Sequence, residues 1–166
     1  MTRLAAAAVA FVLCAGAAAC SGQDASGSPG RRLALWVSSS ALGATVATVE
    51  ADNARIDTLV NEHRPAAAVN AACSLLVSDL STGAAGELPA PDREVTSDLT
   101  RAFDDEAAAA SACADHPADP AVLAAAHAKR AKAHVLMEAA LDRVAAVTGS
   151  VPDTSTTAAP PQGPAL

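Results

Sequence analysis

Four histidines, His63, His116, His127 and His134, are the residues of this chain best suited to chemistry. His127 and His134 stand seven apart, so a helix puts both on one face, with Glu138 one turn beyond His134. This is the sharpest metal pattern in the sequence, and it falls short on geometry. Two turns of helix rise about 10 Å, too far for two imidazoles to chelate one ion, and structural zinc or copper sites want three or four converging ligands. The Glu-x-x-His pairs of di-iron helical proteins are missing, because Glu138 is followed three residues later by Leu141. His63 and His116 fall near helix ends, where only the fold can bring them in. The histidines therefore read as surface or helix-flank groups, and no metal or other cofactor is expected.

Nucleophilic chemistry has less support. No serine lies in a Gly-x-Ser-x-Gly elbow or a Ser-x-x-Lys arrangement, and no glycine loop of the phosphate-binding kind occurs. Asp104-Asp105-Glu106 could attract a cation, but successive helical residues point in different directions, so the cluster reads as a solvated face. The expectation is a protein that is not an enzyme. The formal charge of −7, with three aromatic residues in all (Phe11, Trp36 and Phe103), repels phosphate backbones and gives bases little to stack on. Nucleic acid is excluded as a partner on those grounds.

The cysteines point to location. Met1-Thr2-Arg3 is a short cationic start, and Leu4 to Ala19 runs apolar for sixteen residues, short for a membrane span but suited to a signal segment. It ends in Ala17-Ala18-Ala19-Cys20. This resembles a bacterial lipobox, although the family usually carries Leu where Ala17 stands, and it implies cleavage after Ala19 and lipidation of Cys20. Cys14 is a poorer candidate because Leu13 is bulky for the residue before a cut. With Cys20 consumed, Cys73 and Cys113 remain as an even pair outside the cytosol. Loss of residues 1–19 removes Arg3 and no acid, which leaves 10 basic against 18 acidic residues, or −8. A diacylglyceryl group would supply two acyl chains, enough for stable attachment to a membrane.

The elements that would position these groups are helical. Alanine occurs 46 times, and it orders in a helix without loss of side-chain entropy. Between a tether (residues 20–32) and a Thr/Pro/Ala-rich tail expected to be disordered (150–166), residues 33–149 read as an all-α, antiparallel four-helix bundle. The first helix covers 33–64, with Leu35, Ser39, Leu42, Val46, Val49, Asn53, Ile56, Val60 and His63 as a heptad seam in which Asn53 sets register. The second covers about 66–83 and ends at Gly83 and Gly86, before the extended connector Leu88-Pro89-Ala90-Pro91-Asp92. The third covers about 92–114. The fourth has Asp119 as N-cap, Pro120 at the first helical position and Gly149 past its end. Its inward stripe, Val122, Ala126, Ala133, Leu136, Met137, Ala140, Val144 and Val147, takes in Lys129, which must snorkel. In an antiparallel arrangement Cys73 and Cys113 face one another and should form a disulfide. Closing that loop stabilises by roughly 4 kcal/mol. Trp36, sixteen residues after Cys20, is expected to pack over the end of the bundle or rest against lipid headgroups.

Ala72-Cys73-x-x-Leu76-x-x-Asp79, then Pro89-x-Pro91-Asp92, Leu99, Ala102 and Cys113, resembles actinobacterial-type lipoproteins with a small disulfide-linked helical-bundle domain. The resemblance covers roughly residues 33–149 and implies the bundle, the disulfide and a home outside the cytoplasm. It carries over no catalytic residue. The expected role is that of a structural or protein-interaction module at the outer face of the cell membrane, lipid-anchored, with helix one as the surface for an envelope protein partner. The alternative is a bundle that binds a metal or a small apolar molecule between Ala-rich helices.

Overall fold

The computed structural model describes residues 27–149, apart from the side chains of Ala84 and Ala85. The signal segment 1–19, Cys20, tether residues 21–26 and the tail 150–166 lie outside the described residues. The described residues form five helices and no strand: α1 (Pro29–Ser39), α2 (Leu42–Asn61), α3 (Ala66–Glu87), α4 (Arg93–Asp115) and α5 (Pro120–Thr148).

The long first helix expected over 33–64 is two helices bent by 58°. Three consecutive serines explain the break. Ser38, Ser39 and Ser40 turn their hydroxyls back onto the carbonyls of Leu35, Trp36 and Val37, at 2.9, 3.1 and 3.3 Å, and such back-bonding competes with the helical ladder. Ser40 is extended, and the Ala41 N–H that opens α2 donates to Glu87 Oε1 across the fold at 3.0 Å. Ahead of the break the register differs from the heptad reading: Leu33 is buried, whereas Leu35 is 55% exposed and Ser39 is also exposed. After it, Leu42, Val46, Val49 and Ile56 are buried at the expected spacing.

Helix α1 begins earlier than expected because Ser28 caps it, accepting from the Arg31 N–H at 3.3 Å, with Pro29 in the first turn. Gly30 lets α1 approach α5 closely: a Cβ there would lie 2.7 Å from the Val147 carbonyl oxygen. Helix α3 runs through Gly83 to Glu87 instead of stopping. The missing side chain of Gly83 makes room for Thr45 of α2, whose Cγ2 would be 2.8 Å from a Cβ.

Contacts between helix ends set the chain directions. The start of α2 meets the end of α3 (Ala41 with Glu87), Cys73 of α3 meets Cys113 of α4, and the start of α4 meets the end of α5 (Asp92 with Arg143). Consecutive helices from α2 onward therefore run in opposite directions. Leu33, Leu42, Ile56, Leu76 and Leu99 fill the interior, with Ala102, Ala109, Ala110, Ala133 and Ala140 between them. Each alanine buries little area but lets helix backbones approach closely. Trp36 is half-buried against this core.

On α5 the inward residues are Ala126, Arg130, Ala133, Met137, Ala140 and Val144. Arg130, not Lys129, holds the charged position of the stripe; Lys129 is exposed and pairs with Asp105 at 2.9 Å.

Candidate functional site

The seam between α2 and α5 is polar, and two equal spacings build it. Glu50 and Asp57 are seven apart on α2, as His127 and His134 are on α5. In antiparallel register the pairs fall opposite one another: His127 Nδ1 lies 3.2 Å from Asp57 Oδ1, and His134 Nε2 lies 3.8 Å from Glu50 Oε1. His134 Nδ1 is also 3.5 Å from Glu138 Oε2, one turn along α5. The histidines thus face acids of α2 separately and do not converge. Among the described residues no three His, Cys, Asp or Glu side chains come together to hold a metal ion.

Between those two rungs sits Arg130. Its Nη1 donates to Asn53 Oδ1 at 2.9 Å and to the Asn53 carbonyl at 3.3 Å, and its Nη2 donates to Asp57 Oδ1. Asn53 in turn donates through Nδ2 to Glu106 Oε1 of α4 at 3.2 Å. One amide thereby ties three helices together. Glu106 is wholly buried, which corrects the reading of Asp104-Asp105-Glu106 as a solvated face: Asp104 is exposed, but the helical turn carries Glu106 into the core. Burial pushes its carboxyl up to about 7, against the lowering effects of the Asn53 hydrogen bond and the Arg130 charge. Among the described residues its Oε2 has no hydrogen-bond partner. On the far side of α2, Asp52 is similarly pushed up to about 6 by burial and by Asp79 beside it.

Below the Arg130 rung the ends of α2 and α4 and the starts of α3 and α5 diverge around a cleft of about 680 Å³. Val60, Ala66, Leu123 and Ala124 supply its apolar wall over buried Ile56 and Val69, Cys113 of the disulfide lies in it, and Asp57, Asn61, His63, Arg64, His127 and Arg130 supply the polar groups. Cys73 and Cys113 are joined with Cα atoms 5.9 Å apart, so the cross-link fixes the α3–α4 wall. Helix α2 ends on this rim in a Schellman turn. The Arg64 N–H donates to the Leu59 carbonyl at 2.9 Å, the His63 N–H donates to the Val60 carbonyl at 3.1 Å, and His63 itself is left-handed at φ 54°. A histidine in a position that favours glycine stores backbone strain at the edge of the cleft. His116 ends α4 and is exposed, outside this lining.

Asp57, Arg64, Glu106 and Arg130 are the site residues that periodicity did not single out. The matched seven-residue spacings on α2 and α5 were the available signal, and they become legible only once the two helices are set side by side. Comparison with protein-family models, with curated proteins and with solved structures gave no match.

Proposed function

We propose that this chain is a lipid-anchored, extracytoplasmic binding module of the bacterial envelope. In this reading α2 to α5 form an antiparallel four-helix bundle with α1 strapped onto α5, and the module holds a small molecule with an apolar body instead of performing catalysis. The observation that carries the reading is the cleft, whose volume lies in the range of small-ligand sites and whose wall is apolar with a few polar groups on it. No serine, threonine or lysine lines it, and its cysteine is held in the disulfide, which supports binding over covalent chemistry. Among the described residues no single helix is long and apolar enough to cross a membrane. In this proposal attachment is through the lipid on Cys20.

The cleft favours this reading over the protein-interaction role. The seam of the first long helix, the surface expected to meet a partner, is spent on the interior: Leu42, Val46, Val49 and Ile56 are each at most 2% exposed.

Two measurements test the proposal. Intact mass of the chain extracted from its native membrane should show a start at Cys20 with added acyl mass, and a gain of two hydrogens on reduction. An unlipidated mass would remove the anchor. Isothermal titration with decanamide, an uncharged alkyl amide, should show saturable binding that Leu123→Arg abolishes. Absence of binding, or binding indifferent to Leu123→Arg, would remove the cleft from the account.

A further inference from the structure

The charges around the cleft are the reverse of those on the chain. The whole sequence carries a formal −7 with histidine neutral, yet on the same count the cleft lining holds two arginines against one carboxylate, Asp57. That carboxylate is already engaged by both Arg130 and His127. Arg130 is engaged as well, with Asp57 and Asn53. The Arg64 guanidinium and the His63 imidazole, by contrast, make no hydrogen bond or ion pair with any described residue. Both are carried by the Schellman turn at the rim of the cleft, and both are exposed.

We propose that the cleft binds an amphipathic carboxylate, with its alkyl body laid along Val60, Ala66, Leu123 and Ala124 and its head group against Arg64 and His63. The inference rests on the binding reading above and specifies the ligand class of the same site. An alkyl chain leaves water by contact with the wall, and a guanidinium offers a carboxylate a bidentate, charge-assisted pair. The neighbouring first turn of α3 adds to the preference. It follows Pro65 and has no side-chain cap, and Ala66 at its start lines the cleft, so the positive end of that helix borders the cleft.

The test is isothermal titration with decanoate and with decanamide on residues 20–166, made without the leader and carrying Cys20→Ala, so that neither leader nor lipid calls for detergent. Wild-type Arg64 should bind decanoate about tenfold or more tightly than decanamide. Arg64→Ala should lose that preference, and Arg64→Lys should keep part of it, since a point charge attracts without forking. Arg64 is exposed, and a helical circular-dichroism spectrum like that of the parent should accompany each variant. Equal affinity for the two probes, or an Arg64→Ala variant that weakens both alike, overturns the carboxylate assignment and leaves the cleft as a binding site. Failure of both probes to bind overturns the assignment together with the binding reading.

Discussion

Replacing Glu106 by glutamine should make the protein more stable at pH 8, although it removes a buried charge near an arginine. Two effects oppose one another there. Arg130 and Asn53 favour the carboxylate, and the loss of hydration disfavours it. The outcome is a carboxyl raised from 4.5 to about 7, so desolvation wins. Between those values the folded state holds a proton that the unfolded chain has released. Stability therefore falls as pH rises, a loss that begins near 4.5 and is complete above about 7. A displacement of that size corresponds to about 3 kcal/mol. Glutamine keeps the acceptor for Asn53 Nδ2 and carries no charge at any pH. Urea unfolding followed by helical circular dichroism should find Glu106→Gln and wild type within about 1 kcal/mol of each other at pH 4, and the variant about 3 kcal/mol more stable at pH 8. Asp52, raised from 3.8 to about 6, should leave a residual downward slope common to both proteins. A variant less stable than wild type at pH 8 would refute the reasoning: the Arg130 attraction would then outweigh the burial of the carboxylate.

Loss of the disulfide in a Cys73→Ser, Cys113→Ser double variant should lower stability by about 4 kcal/mol, from the closure of a loop with a sequence separation of 40, and reductant should bring wild type to the same level in denaturant titration. His63→Gly should stabilise by about 1 kcal/mol, because φ 54° suits glycine, and the thermal midpoint should rise by about 2–5 °C. Gly30→Ala should cost about 1–3 kcal/mol and shift the emission of Trp36 to longer wavelength as α1 lifts from α5, because the new Cβ meets a backbone oxygen that cannot step aside. Gly83→Ala should cost less, since the atom it meets belongs to the Thr45 side chain.

The helical class was legible because its signals are local. Asp119-Pro120 and Gly149 carry their cap geometry in their residue types, and the structure places them at the two ends of α5. Ser28-Pro29 carries the same cap-then-proline signature, but it sits in a Gly- and Ser-rich stretch whose composition favours a tether. The break at Ser40 was hidden because a heptad count weighs side-chain polarity and not the reach of three serine hydroxyls back to their own backbone. Gly83 signalled a stop by propensity but serves packing against Thr45. The site was harder to read. Arg130 and Glu106 are unlikely core residues by type, and their burial follows from a network across α2, α4 and α5 that has no trace along any one helix.

The placement of α1 also decides how the molecule would carry load. Its principal packing partner is α5, at the Val147 end, whereas the cleft and the Cys73–Cys113 cross-link lie towards the opposite end of that 29-residue helix. Tension applied through the chain ahead of Gly27 would be taken up first by peeling α1 from α5, with the turn at Ser40 as the hinge. The covalent clamp would hold the cleft in shape meanwhile. Were the chain tethered ahead of Gly27 as proposed, α1 would act as a strain relief between that tether and the cleft, about 40 Å away along α5.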